Sequence, residues 1–196
     1  MLDTATPQLT DRPATPADAG FLVDIVRMAG SGMPERVWAR MAGPGETPLD
    51  VGRRRAAGTE GAFSHRNATL FEAEGRAVAA LLGYPLPDRP EPDEHGTPPE
   101  FVPLNALEAL AAGSWYINIL GALPDWRWRG IGGAMLDHAG TLARAAGRGA
   151  LSLIVDSSNP RAMALYARHG FREVARRAMA VPGHEGDDAV LMVRAM

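Results

Sequence analysis

RWRGIGG, residues 127–133, places three glycines and two arginines between two apolar runs. The run before it, SWYINILGAL (114–123), is strongly β-prone and mostly apolar, as a central strand would be. In the run after it, Ile131, Met135, Ala139, Leu142 and Ala146 share one helical face, and Gly147 ends the segment. A strand that passes through glycines into a helix makes an anion site. The first helical N–H groups point outward without intrahelical partners, the helix dipole adds to them, and glycine lets a ligand approach the main chain. A hydrogen bond to a charged group contributes about 1.5–3 kcal/mol, so a few such donors suffice for a pyrophosphate.

Composition removes several alternatives. All 20 basic residues are arginine and there is no lysine. A Walker A loop and Schiff-base chemistry both need that lysine. There is no cysteine, hence no disulfide, thiolate zinc site or cysteine nucleophile. The net charge of −3 gives no broad basic field for nucleic acid. No apolar run nears the ~18 residues of a membrane span, and the N-terminal residues lack signal-peptide features. The expectation is a cytoplasmic protein. A dinucleotide fingerprint fails because Met135 stands where the third glycine belongs.

Outward from the glycine turn, the chain reads as alternating strands and helices. QLTDRP (8–13) reads as a first strand after a loose tail, 1–7. Thr15-Pro16-Ala17-Asp18 and Thr47-Pro48-Leu49-Asp50 are helix starts with an N-cap, a proline in the first turn and an acid three residues on. Gly30 and Gly58 stop those helices, and another spans about 34–42 between them. A hairpin is expected over 68–73 and 77–84. Residues 85–103 hold seven prolines and read as a long loop. A short helix (104–113) follows it. ALSLIVD (150–156) is a second buried strand, Asn159-Pro160 starts a helix that stops before Gly170, and strands at 173–181 and 188–195 complete the chain. The fold class is therefore α/β (α+β), with a mixed central sheet of about six to seven strands and helices on both faces. A single domain over 8–196 is expected, with 85–113 as an insertion.

Two motifs in order carry a resemblance. Arg127-x-x-Gly130-x-Gly132 resembles the (Q/R)-x-x-G-x-(G/A) motif of the GNAT family, the GCN5-related N-acetyltransferases. Asn159-Pro160-Arg161-Ala162-Met163-Ala164-Leu165-Tyr166 followed by Gly170-Phe171 is similar to the family's N-x-x-A-x-x-L-Y-x-x-x-G-F signature. The resemblance is specific over about residues 114–175 and extends to RPATPADA (12–19). It implies transfer of an acetyl group from acetyl-CoA to an amine of a small molecule or peptide, with no metal. The cofactor would lie where two central parallel strands splay apart. Pantetheine would pair with the strand edge at Leu120 and Ala122, and the pyrophosphate would rest on Arg127, Trp128, Arg129, Gly130, Ile131, Gly132 and Gly133. Asn159 and Ala162 would lie beside pantetheine. Tyr166 would protonate the departing thiolate, and a strand amide near Ala122 would face the oxyanion.

Each assignment has a plainer alternative. The arginines at 127 and 129 also suit a solvated loop, Asn159 suits an N-cap, Ala162 and Leu165 suit packing, and Tyr166 suits a buried hydroxyl serving a neighbour. Trp126 and Trp128 could cover the cofactor, pack, or meet a second subunit; homodimers are common in the family. The histidines, at 65, 95, 138, 169 and 184, show no ligand spacing. Arg53-Arg54-Arg55 fits an exposed helix face. By family analogy the acceptor would meet residues 28–42, with Met28, Met33, Trp38 and Met41, the loop before residue 114 and the loop 182–188.

The general base is the gap. Tyr116-Ile117-Asn118-Ile119 carries no acid where many relatives have one. Asn118 and Tyr116 could orient a water that removes the proton, and Asp156 is a further candidate. Otherwise the acceptor amine is weakly basic, because deprotonating an amine with pKa about 10.4 at pH 7 costs nearly 5 kcal/mol. A non-catalytic acyl-CoA-binding or sensing module on the same fold is the competing function.

Overall fold

The structure is a computed structural model that describes residues 9–30, 32–90, 98, 101–179 and 187–196. Its elements run β1 (Thr10–Pro13), α1 (Ala19–Ala29), α2 (Met33–Met41), α3 (Pro48–Ala57), β2 (Ala68–Ala73), β3 (Arg76–Pro85), α4 (Val102–Leu110), β4 (Trp115–Ala122), α5 (Ile131–Ala145), β5 (Ala150–Asp156), α6 (Pro160–Arg168), β6 (Arg172–Ala178) and β7 (Asp188–Ala195). The strands form one seven-stranded sheet in the order β1-β2-β3-β4-β5-β7-β6. β4 and β5 run parallel, whereas β1–β2, β2–β3, β5–β7 and β6–β7 are antiparallel. The mixed α/β class expected from the sequence is the class observed.

The described residues fall into two compact units, one drawn from Met1–Gly83 and Ile119–Met135, the other from Tyr84–Asn118 and Leu136–Met196. In the first, Leu22, Ile25, Val51, Leu70 and Leu82 are fully buried around Trp38. Trp38 stacks on Phe63 with ring centroids 5.4 Å apart. Gly52 leaves room for that indole: a Cβ there would lie 2.9 Å from the ring. Both helix starts form as the sequence requires. The Asp50 carboxylate accepts from Thr47 N–H at 3.0 Å, and Thr47 Oγ1 accepts from Asp50 N–H at 3.2 Å. Asp18 accepts from Thr15 N–H at 2.7 Å and is also gripped by both terminal nitrogens of Arg12. Glu74 and Gly75 both take positive φ, 52° and 74°. That backbone suits a two-residue hairpin, whose twist matches the flanking strands.

In the second unit β5 lies between β4 and β7. Its register with β7 runs the full length from Ala150↔Ala195 to Asp156↔Ala189. The parallel register with β4 runs only from Trp115↔Leu151 to Ile117↔Leu153. A buried pair of hydroxyls, Ser114 and Ser152, satisfies itself at 2.6 Å.

Some boundaries differ from the sequence reading. α4 begins at Val102, inside the stretch read as loop, and ends at Leu110. Pro103 does not exclude this, because a proline in the first helical turn removes an N–H that has no intrahelical partner anyway. β6 ends at Ala178 and β1 starts at Thr10, shorter than the runs expected there. The tail 1–7, most of the proline loop with His95, and the loop residues 182–186 with His184 lie outside the described residues.

Candidate functional site

Two places carry the candidate residues, and each belongs to one unit. The glycine turn belongs to the first. β4 leaves at Ala122, Leu123 N–H bonds Val78 O at 2.9 Å, and a 3-10 turn spans Pro124–Trp126. Trp126 is buried, and the guanidinium of Arg129 lies over its ring, 4.8 Å from the centroid, with Arg76 at 5.7 Å. The Arg129 side chain is thereby engaged on an aromatic face. Arg127 donates from Nε to Ala122 O at a long 3.4 Å.

The turn itself is wound against ordinary backbone preference. Trp128 has φ 66° and Gly130 φ 78°. For tryptophan that conformation costs about 1–3 kcal/mol, and glycine adopts it freely. The reversal lets α5 begin at Ile131, with Ala134 N–H returning to Gly130 O at 3.2 Å. The N–H groups of Ile131, Gly132 and Gly133 therefore occupy the first helical turn, where the helix supplies them no acceptor. Gly130 is exposed, and a Cβ there would meet nothing within 4 Å. Further back on β4, Gly121 meets Ile25: a Cβ there would lie 2.8 Å from Ile25 Cγ2. Leu120 and Ala122 flank it on the strand, partly buried.

The second place belongs to the other unit. Asn159 caps α6, with Oδ1 accepting from Ala162 N–H at 3.1 Å. The cap reading of Asn159 is thus the observed geometry. Tyr166, on the same helix, is 8% exposed, its ring centroid 5.9 Å from that of Phe171. Burial pushes its hydroxyl up to about 12. It is a protonated donor at neutral pH. Against a free thiol near 8.5, transfer to thiolate is uphill by about 5 kcal/mol rather than the about 2 of an ordinary tyrosine. A thiolate brought into the same apolar surroundings is itself raised, which narrows the gap.

Tyr116 and Asn118 stand two apart on β4 and so share a face of the sheet. Tyr116 is buried, and the Glu108 carboxyl of α4 lies within its electrostatic reach. Burial drives Tyr116 well above its ordinary value, with Glu108, Tyr84 and Tyr166 adding in the same direction. Tyr84 meets the Tyr116 ring edge-on at 5.8 Å and is likewise raised, first by burial and then by Glu108. Glu108 is half-buried. Desolvation raises its carboxyl above the usual range, and interaction with Tyr116 opposes that rise without cancelling it. Neither Glu108 nor Tyr84 was reached from the sequence. The one available signal was that Glu108 is the sole charged residue in FVPLNALEALAAG (101–113).

Among the described residues no group of three or more metal-ligating side chains gathers, and no helix is long and apolar enough to cross a membrane. Residues 44–171 match the Acetyltransferase (GNAT) family. The chain belongs to that family. Solved structures of similar fold include one described as an acetyltransferase, at TM-score 0.67 and 21% identity, covering 95% of this chain and 98% of that one. An N-acetyltransferase from Staphylococcus aureus Mu50 is similar at TM-score 0.61 and 15% identity, over 94% and 99% of the two chains. A GNAT family acetyltransferase from Elizabethkingia anophelis, solved with acetyl-CoA bound, is similar at TM-score 0.59 and 15% identity, over 96% and 98%. At these identities the likeness is one of fold. The GNAT match spans the turn at 127–133 and the α6 signature together, so both parts of the sequence motif fall inside it.

Proposed function

We propose that this GNAT protein transfers an acetyl group from acetyl-CoA to an amine by direct attack on the thioester. The observation that carries the reading is the turn from Trp128 to Gly133, whose left-handed residues start α5 with its first N–H groups presented beside exposed glycine. Those groups suit the pyrophosphate, and Arg127 adds positive charge. Leu120 and Ala122 would offer main-chain partners to pantetheine, in the manner of a strand added to an edge. Ala162 and Asn159, at the first turn of α6, would flank it. Tyr166 is assigned the proton that the departing thiolate takes up; its raised hydroxyl supports this, because a group that never ionises at neutral pH remains a donor.

Isothermal calorimetry with acetyl-CoA tests the binding half. Release of free CoA in the presence of an amine library, with products identified by mass, tests the transfer half. Binding without release from any amine, amino acid or peptide would instead support a non-catalytic acyl-CoA sensor, which the absence of an acid on β4 would suit.

A further inference from the structure

Two tryptophans stand two residues apart at the glycine turn, and the fold treats them oppositely. Trp126 is buried, and the guanidiniums of Arg129 and Arg76 lie over its ring, 4.8 Å and 5.7 Å from the centroid. Trp128 keeps 81% of its surface exposed. Its backbone sits at φ 66°, where a bulky side chain crowds the following carbonyl. Among the described residues other than glycine, only Glu74 shares a positive φ, and Glu74 lies in a hairpin turn that demands it. Trp128 thus carries backbone strain, and an indole so exposed returns little of it through burial. A glycine at 128 would take the same φ without strain. Trp128 therefore works against stability, while its flat apolar face stands where a ligand can reach it.

We infer that the Trp128 indole is a donor-specificity residue: it stacks on the adenine of the nucleotide thioester and selects that donor over one carried on phosphopantetheine alone. The inference rests on the acetyl-CoA reading and deepens it. Leu120, Ala122, Trp128 and the N–H groups of 131–133 all belong to one unit of the molecule. The strand residues are assigned to pantetheine and the N–H groups to the pyrophosphate, which joins pantetheine to the adenosine. A turn that grips the pyrophosphate at 131–133 leaves the base within reach of a long side chain three residues back. An arginine at 128 would suit a phosphate. A tryptophan presents a neutral ring, and adenine is the one flat neutral ring in the carrier. Aromatic stacking on a base is enough to tighten binding about tenfold. A tryptophan exposed for a protein partner or a second copy of the chain would not tell the two thioesters apart.

The test measures both thioesters by calorimetry, acetyl-CoA directly and S-acetyl-4′-phosphopantetheine by displacement. Trp128→Leu is expected to weaken acetyl-CoA about tenfold and the phosphopantetheine thioester less than about twofold. Trp128→Phe, which keeps a stacking ring, should lose less than about threefold on acetyl-CoA. Trp128→Gly should show the same loss as Trp128→Leu yet unfold no earlier than wild type, because it removes the ring and the strain together. A structural role would not separate affinity from stability in this way. Unchanged acetyl-CoA affinity in Trp128→Leu, equal weakening of both thioesters, or a Trp128→Phe protein as weak as Trp128→Leu overturns the inference and leaves the acetyl-CoA reading intact. A Trp128→Gly protein that loses stability along with affinity does the same. Wild-type protein that binds neither thioester overturns the acetyl-CoA reading and this one with it.

Discussion

The turn at 127–133 and the cluster of Tyr84, Glu108, Tyr116 and Tyr166 meet opposite demands. The turn presents main-chain nitrogens, is exposed at Gly130 and Trp128, and owes its shape to two residues with positive φ. The cluster presents side-chain oxygens, three phenols and one carboxyl, each shifted upward by burial. Main-chain N–H groups do not titrate and survive most side-chain changes. Phenols and carboxyls do titrate, and their value lies in how far the surroundings move them. A protein that must hold a phosphate and also move protons has reason to use the first kind of chemistry for holding and the second for moving.

That contrast can be broken by mutation. The largest expected effect is at Tyr166. Tyr166→Phe should reduce kcat for acetyl transfer by about 100-fold or more while acetyl-CoA affinity changes less than threefold, measured by calorimetry beside steady-state rates. Equal loss of both would return Tyr166 to a packing role. Next comes Gly130→Val, which places a β-branched residue at φ 78°. The strained turn should weaken acetyl-CoA binding about tenfold, equivalent to about 1.4 kcal/mol, with kcat at saturation preserved. A smaller effect is thermal. Burial raises the Glu108 carboxyl in the folded chain, so folding favours its protonated form. The stability it contributes is complete below its unfolded pKa and is lost as pH climbs through the folded one. Glu108→Gln should therefore raise Tm by a few degrees at pH 7.5 and leave it unchanged at pH 4, read by differential scanning calorimetry. Smallest is Arg129→Ala. Its guanidinium is engaged on Trp126; if the main chain does the holding, as proposed, acetyl-CoA affinity should fall less than about threefold. A loss of tenfold or more would show that the turn grips through side chains.

The two places also differ in how far the sequence announces them. Most of the local structure is legible in the sequence. Thr15 and Thr47 start helices with their acids three residues on, Glu74 and Gly75 turn the hairpin, and Asn159 caps α6. Each depends on partners within four residues, so a pattern of residue types suffices. The start of α4 differs from the sequence reading because Pro103 serves as a first-turn residue and not as a breaker. Glu108 was out of reach for a different reason. Its partners stand 8 residues along the chain at Tyr116 and 24 back at Tyr84, on three separate elements. No spacing rule joins a carboxyl on a helix to phenols on two strands, and only the tertiary packing shows that desolvation has acted on it.

Of the four tryptophans, Trp38, Trp115 and Trp126 are at most 4% exposed, whereas Trp128 is 81% exposed and stands on the glycine turn. The chain consequently carries an indole that dissolved iodide can reach, mounted on the peptide segment assigned to the nucleotide end of the carrier. Its emission gives an optical readout of occupancy with no label attached and no residue altered.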